Sequence, residues 1–301
     1  MRYFSKREKG DPSEIHQIFT GVNLQLWCCR FWQLKQWDCN DMAFPYWRIY
    51  WNKNAGGVVC YEQDTYSLDG DNLLIISPNT PFKAYIKDNH RVDNGIHISG
   101  KRIDENDNEE ELARDYLLHL FIHFNLGVPF DSIKPGIFQV PLTEEQKLKL
   151  GRITDYLKSE AANFSLQVNL QLHSIITEML FHLDNKLWNM LRIDARILET
   201  IRYIDRNIKN NLTNDHLAQL IPMATNSFIR LFRNEMSTSP QLFIKKRKIA
   251  KACALFDHTE MGIEEIAFYL GFADRYHFSR VFKNTTGSSP ARYRKGTVIL
   301  S

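Results

Sequence analysis

At 301 residues, with 44 % hydrophobic and 24 % charged side chains, the chain has the size and composition of two globular domains. It holds no apolar run of about 18 residues, so no membrane-spanning helix is expected, and the polar start MRYFSKREKGDPSEIHQ gives no expectation of a secretory leader. The net charge of +3 hides a split: residues 190–301 carry 18 Lys and Arg against 10 Asp and Glu, whereas residues 1–189 carry 20 against 25. A basic third joined to an acidic remainder implies a polyanion-binding domain attached to something else. The cysteines Cys28, Cys29, Cys39, Cys60 and Cys253 match neither a CxxC nor a zinc spacing. They read as reduced thiols of a cytosolic protein, with Cys28 and Cys29 as strand residues pointing to opposite faces.

From Val22 to about Gly127 the pattern is that of strands. VNLQLWCCRFWQL, YWRIYW, VVCYEQDTYSL, NLLIIS, GIHIS and LHLFIHFNLG are short, rich in β-branched and aromatic residues, and partly alternating. NAGG, LDGDN and SPNTP supply the turns between them. An antiparallel barrel or sandwich follows. The charged run KRIDENDNEEELARD at 101–115 reads as a solvated loop leading into a helix or a further strand.

Helical signals take over after Pro141. Thr143 followed by Glu144, Glu145 and Gln146 predicts a capped helix start with an acidic first turn. Leu148, Leu150, Ile153 and Leu157 then recur at helical spacing. A second helix over about 166–187 carries Leu172, Ile175, Ile176, Met179, Leu180 and Leu183 on one stripe, a core face or a dimer surface. Beyond Ile193 everything reads as helix, in pieces near 194–210, 214–221, 225–236, 240–256, 262–270 and 274–285.

Within this helical third a unit occurs twice. FIRLFRNEMSTSP (228–240) and FSRVFKNTTGSSP (278–290) align at an offset of fifty, with Phe228/Phe278, Arg230/Arg280, Phe232/Phe282, Asn234/Asn284, Ser239/Ser289 and Pro240/Pro290 identical. Upstream, Leu217/Ile266 and Ala218/Ala267 continue the match at offset 49. Each copy is thus a short helix with a small Ala, a turn (IPMAT or LGFAD), and a helix bearing Phe-x-x-x-Phe. A small residue lets the second helix cross closely over the first, and Asn226, Ser227 and Arg230 then project from the face opposite Phe228 and Phe232. That is the plan of a helix-turn-helix. A solenoid is the alternative, but solenoids need three or more units to bury their faces.

LTNDHLAQLIPMATNSFIRLFRNEMSTSPQLFIKKRKIAKACALF and, more specifically, GIEEIAFYLGFADRYHFSRVFKNTTGSSPARYRK resemble the tandem helix-turn-helix domain of the AraC/XylS transcription regulators. The first copy departs from that pattern at Pro222, Ile229 and Ser237. The resemblance implies two recognition helices set in adjacent major grooves by the connecting helix. It assigns base edges to Asn226, Ser227, Ile229 and Arg230 in the first and to Arg275, Tyr276, Ser279 and Arg280 in the second. Arg suits guanine, Asn adenine, and Ile a thymine methyl. Arg233, Lys283 and the cluster at 245–248 read as phosphate contacts or solvated face; Arg230 or Arg280 pairing with an internal acid is the competing reading.

FPYWRIYWNKNAGGVVCYEQDTYSLDGDNLLIISPNTPF resembles the cupin-like sensor domain found before such motifs. The resulting expectation is a multidomain α+β protein. A cupin-like antiparallel β-barrel occupies residues 1–140, linker and dimerisation helices 141–190, and an all-α tandem helix-turn-helix 191–301. No cofactor and no metal are expected. Phe82 stands where metal-binding cupins place His, and His119 and His123 on a strand lie about 13 Å apart. The function implied is a non-enzymatic transcription regulator of the bacterial cytoplasm, acting on double-stranded DNA at the nucleoid. It would be an activator and homodimer contacting RNA polymerase, controlled by a small molecule, a carbohydrate leading because of the barrel tryptophans. The alternatives are a ligand-independent regulator whose barrel only dimerises or binds a partner, and a cupin enzyme fused to a DNA-binding domain.

Overall fold

The computed structural model describes residues 22–87, 97–159, 165–189, 193–286 and 288–296. Nine strands come first: β1 (Gln25–Met42), β2 (Trp47–Asn52), β3 (Gly57–Tyr61), β4 (Asp64–Leu68), β5 (Asn72–Ile76), β6 (Phe82–Ile86), β7 (His97–Arg102), β8 (Leu117–Asn125) and β9 (Ile137–Pro141). All pairs are antiparallel, in the order β4-β3-β6-β1-β8-β2-β5-β9, with β7 also on β1. β1 is long enough to serve three neighbours: residues 25–34 pair with β8, 32–38 with β7 and the end near Cys39–Met42 with β6. Strand twist and register shifts at Leu26/Cys28, Leu34/Gln36 and Cys39/Met42 bend it, and the sheet curls into a nearly closed barrel.

Register decides which side chains face inward. Arg48 pairs with His123 and Ile76, and Tyr50 with Phe121 and Leu74. Side chains alternate across a strand, so Arg48, Tyr50, His119, Phe121 and His123 share the inner face with Trp32, Leu34, Leu74 and Phe82. Ile49, Trp51, Leu73, Ile75, Ile122 and Phe124 face outward, yet they are buried as well. Helices cover that face, which is why LLHLFIHFN shows almost no polar alternation.

The covering helices are α2 (Glu144–Lys158) and α3 (Leu166–Phe181). The Thr143 hydroxyl accepts from Gln146 N–H while Gln146 Oε1 accepts from Thr143 N–H, a capping box at the expected position. Leu150 and Ile153 of α2, with Leu172, Ile175, Ile176, Met179 and Leu183, join the outer barrel residues in one core. The α3 stripe is therefore core and not a free dimer face. Leu148 was expected on the α2 stripe but is exposed, and Gln146 and Thr154 take inner places instead. The charged run at 101–115 resolves into the end of β7, a loop, and α1 (Glu109–Asp115), capped by Asn108. A short α4 (Lys186–Asn189) follows α3.

The helical third comprises α5 (Ala195–Arg206), α6 (Asn214–Leu220), α7 (Thr225–Met236), α8 (Pro240–His258), α9 (Ile263–Tyr269), α10 (Arg275–Thr286) and α11 (Pro290–Gly296). Neither α11 nor β9 was anticipated. α11 starts with Pro at its first position, favourable because Pro has no N–H to satisfy there. Arg292 N–H donates to Ser289 Oγ at 3.3 Å, and the Tyr293 ring packs 5.4 Å from that of Phe282.

Candidate nucleic-acid interface and the seam behind it

Two small cores carry the two helix pairs. In the first, Ile197, Ile201 and Ile204 of α5 pack with Leu217, Ala218, Phe228, Phe232, Phe243 and Ile244. In the second, Ile266, Ala267, Leu270, Phe278, Val281 and Phe282 pack with Ile249, Ala252, Cys253 and Phe256. Ala218 and Ala267 are both buried at the helix crossings. Edge-on aromatic pairs lock each unit to α8: Phe232–Phe243 at 5.4 Å and Phe256–Phe282 at 5.5 Å. One helix thus anchors in both cores. Its 19 residues at 1.5 Å rise span about 28 Å, close to one turn of B-DNA, about 34 Å.

The outward faces match. Asn226, Arg230 and Arg233 recur at i, i+4 and i+7 on α7 and are exposed; Tyr276, Arg280 and Lys283 do the same on α10. Arg275 is exposed, and Tyr276 keeps 84 % of its surface in solvent. Among the described residues neither Arg230 nor Arg280 meets an acid, so the reading in which one is an internal ion-pair partner fails. Ser227 and Ser279 are half-buried, at the edge of the face. Ile229 is half-buried and packs against the first core, so only part of its side chain faces outward.

The basic cluster at 245–248 divides. Lys245 and Lys246 are exposed. Arg247 turns inward and forks onto both carboxylate oxygens of Asp205, each at 2.9 Å. Lys248 is 9 % exposed, its ammonium 5.4 Å from the centre of the Phe272 ring; burial lowers its pKa. Helical spacing puts four consecutive residues all around the helix, so a run of four cations cannot lie on one face. Sequence reasoning also passed over Phe268 on α9, 85 % exposed beside the buried Ile266–Ala267 pair.

Away from these exposed faces, the end of α8 packs against the barrel. Tyr46 Oη donates to Asp257 Oδ2 at 2.8 Å, and Tyr293 Oη donates to the same oxygen at 3.2 Å. Arg48 lies fully inside, its guanidinium 3.2 Å from the Phe44 ring centre and donating to the hydroxyls of Tyr50 (2.9 Å) and Tyr46 (3.3 Å). His123 Nδ1 meets His258 Nε2 at 3.2 Å. Burial holds His123 well below its usual pKa, with Arg48 adding to it, and brings His258 down to about 3, with Arg30 and Arg48 adding to it. Asp131 accepts from the backbone N–H groups of Leu126 and Gly127 and lies 3.8 Å from Arg247. Burial raises it to about 6 against the opposing pull of Arg247. No spacing in the sequence points to these contacts, because Tyr46 and Asp257 are 211 residues apart.

Trp32, Trp37, Trp47 and Trp51 are buried in packing and do not line an open mouth. Trp27 is the exception among the barrel tryptophans. It borders a cavity of about 530 Å³ at the seam, lined also by Asn125, Arg202, Asp205, Arg206, Arg247 and Lys251.

A family profile described as a helix-turn-helix domain matches residues 217–296. The arabinose operon regulatory protein of Escherichia coli is 32 % identical over 105 residues, covering 35 % of this chain and 36 % of that protein. Residues 217–296 are thus a helix-turn-helix domain, similar in sequence to part of the arabinose regulator. An uncharacterised HTH-type transcriptional regulator of Haemophilus influenzae is 28 % identical over 181 residues, 60 % of this chain. The chain spans 57 % of that relative and about a third of the arabinose regulator. The crystal structure of ToxT from Vibrio cholerae aligns with 92 % of this chain and 99 % of its own length, at 12 % identity and a TM-score of 0.49. Both of these curated relatives are named as regulators. Among the described residues no helix is long and apolar enough to cross a membrane.

Proposed function

We propose that the protein is a sequence-specific DNA-binding transcription regulator in which one chain reads two half-sites in adjacent major grooves. The observation that carries this is the pair of matching exposed faces, Asn226/Arg230/Arg233 and Tyr276/Arg280/Lys283, set about one DNA turn apart by a single helix buried in both cores. Arg230, Arg280 and Asn226 read base edges; Arg233 and Lys283, one turn further along, take phosphates. Activation through contact with RNA polymerase in the bacterial cytoplasm belongs to the same reading, on family resemblance. So does homodimerisation, now through the exposed Leu166, Leu170 and Phe181 of α3 and not its buried stripe. Selection of genomic fragments by the purified chain should recover a motif of two half-sites about 10 base pairs apart. Arg280→Ala should relax one half-site by about 1–3 kcal/mol. Sequence-independent recovery, or a motif indifferent to Arg280→Ala, would sink the assignment.

The effector that fits best is a small organic anion at the seam. Beyond the Arg247–Asp205 pair, three more cations, Arg202, Arg206 and Lys251, line the cavity, and the lining comes from both the barrel and α8. Binding that favours one arrangement of the two shifts the population of DNA-competent conformers. Screening carboxylates and sugars by thermal shift should yield hits among the carboxylates that vanish in Arg206→Ala/Lys251→Ala. Sugar hits unaffected by that pair would return the site to the barrel aromatics.

A further inference from the structure

We propose that Cys28, His123 and His258 form a site for one transition-metal ion of the thiolate- and imidazole-preferring class, zinc foremost, and that the ion ties the barrel to the end of α8. The ligating atoms of the three side chains all lie within 4.8 Å of one another. They come from three elements, β1, β8 and α8, the first two in the barrel and the third in the connecting helix of the helix-turn-helix domain. Cys28 and His123 are direct partners across the β1–β8 ladder, so their side chains share the inner face. The register shift between Leu26 and Cys28 sits just before this pair. Shifts of this kind re-aim side chains next to functional sites.

The distances suit an ion. Zinc binds imidazole nitrogen at about 2.0–2.1 Å and thiolate at about 2.3 Å in a tetrahedron, which places ligand atoms about 3.3–3.7 Å apart. His123 Nδ1 and His258 Nε2 are 3.2 Å apart, and the Cys28 sulfur lies within 4.8 Å of a ring nitrogen of each. The two rings are oddly placed for a merely structural pair. They share one hydrogen bond, and their remaining nitrogens, His123 Nε2 and His258 Nδ1, are buried with no hydrogen-bond partner among the described residues. An ion at the facing nitrogens leaves these outer nitrogens as the N–H ends of neutral imidazoles.

Chemistry selects the class of ion. One thiol and two neutral imidazoles make a soft to borderline donor set that suits zinc or copper(I) and not magnesium or calcium. A second cysteine is not at hand to form a disulfide instead, because Cys29 faces the opposite, helix-covered side of the strand. Binding converts the Cys28 thiol to a coordinated thiolate and releases its proton to solvent. The groups around the site set the charge balance. Burial opposes the free thiolate and pushes the Cys28 thiol up to about 12; Arg30 and Arg48 pull it the other way but oppose the cation, and the Asp257 carboxylate, held by Tyr46 and Tyr293, favours it. Three protein ligands leave a fourth position for water. The site lies beside the seam: Trp27, which borders the cavity, stacks its ring 6.3 Å from that of His258.

The test uses the full chain, stripped with a chelator and titrated with Co²⁺ as a spectroscopic probe and with Zn²⁺ against a chromophoric chelator. One equivalent should bind, with a sulfur-to-cobalt charge-transfer band and visible bands of tetrahedral intensity, both displaced by Zn²⁺. Cys28→Ser should abolish the charge-transfer band. His258→Gln, at the seam and outside the barrel fold, should weaken Zn²⁺ binding about 100-fold or more. Cys60→Ser, on β3, should change neither. The proposal is overturned if the chain binds no stoichiometric ion, or if the band survives Cys28→Ser. It also fails if His258→Gln binds Zn²⁺ as tightly as the parent, which would place the ion away from α8.

Discussion

The two helix-turn-helix units have nearly the same core and different punctuation. In the second, α10 is capped by Asp274, whose Oδ1 accepts from His277 N–H at 2.7 Å. In the first, the residue before α7 is Ala224, which offers no side-chain cap. The turn of the second unit contains Gly271 at φ +66°, pressed so closely on the Lys209 carbonyl that an added Cβ would sit 1.9 Å from its oxygen. Pro222 holds the equivalent place in the first unit, and proline cannot adopt that angle. α7 ends at Ser237, held at φ +52° in the left-handed region that favours glycine. The second unit carries its fold in local residues; the first leans on its neighbours, α5 and the Phe243 end of α8. The same function-bearing face can therefore be built with strong or weak local signals, provided the Phe-x-x-x-Phe pair is kept.

That comparison is sharpest where the units should behave alike. Phe232→Ala and Phe282→Ala remove fully buried rings and should each cost about 3–5 kcal/mol in chemical denaturation. A much smaller loss in one would show that its core is not the organising element. The units should differ most at the turn. Gly271→Ala meets both a left-handed backbone and the Lys209 carbonyl, and should cost about 2–3 kcal/mol. Pro222→Ala should stay within about 1 kcal/mol; equal effects would erase the distinction. The smallest expected change is at the caps. Asp274→Ala should cost about 1 kcal/mol and Ala224→Asp should stabilise the first unit by a similar amount, both read from thermal midpoints. No gain from Ala224→Asp would mean that tertiary packing already fixes the start of α7.

The exposed faces of α7 and α10 were legible because they are local. Asn226, Arg230, Tyr276 and Arg280 stand at helical offsets from Phe228, Phe232, Phe278 and Phe282, and a helix converts offset into direction. The reading of 245–248 as phosphate contacts or solvated face fails for Arg247 and Lys248, which turn toward Asp205 and Phe272, while Lys245 and Lys246 stay exposed. In the barrel, strand segments could be recognised but their inner face could not. A one-residue slip reverses every side chain, and β2 and β8 are buried on both faces, leaving no polar alternation to fix the parity. The register with β8 makes Arg48, Tyr50 and His123 inner residues. It also leaves the tryptophans expected to stack on a sugar inside the packing.

The sequence by itself determined the repeated helical unit, its inner and outer faces, the connecting helix and the strand-rich character of the first half. All of these rest on spacings of a few residues, where backbone geometry alone relates position to direction. Only the tertiary structure decided the seam, where Tyr46 meets Asp257, Arg247 faces Asp131, and Cys28, His123 and His258 converge. Those contacts join residues from about 95 to about 230 positions apart. No local rule links such residues: which of them meet depends on how the barrel closes and where α8 ends against it.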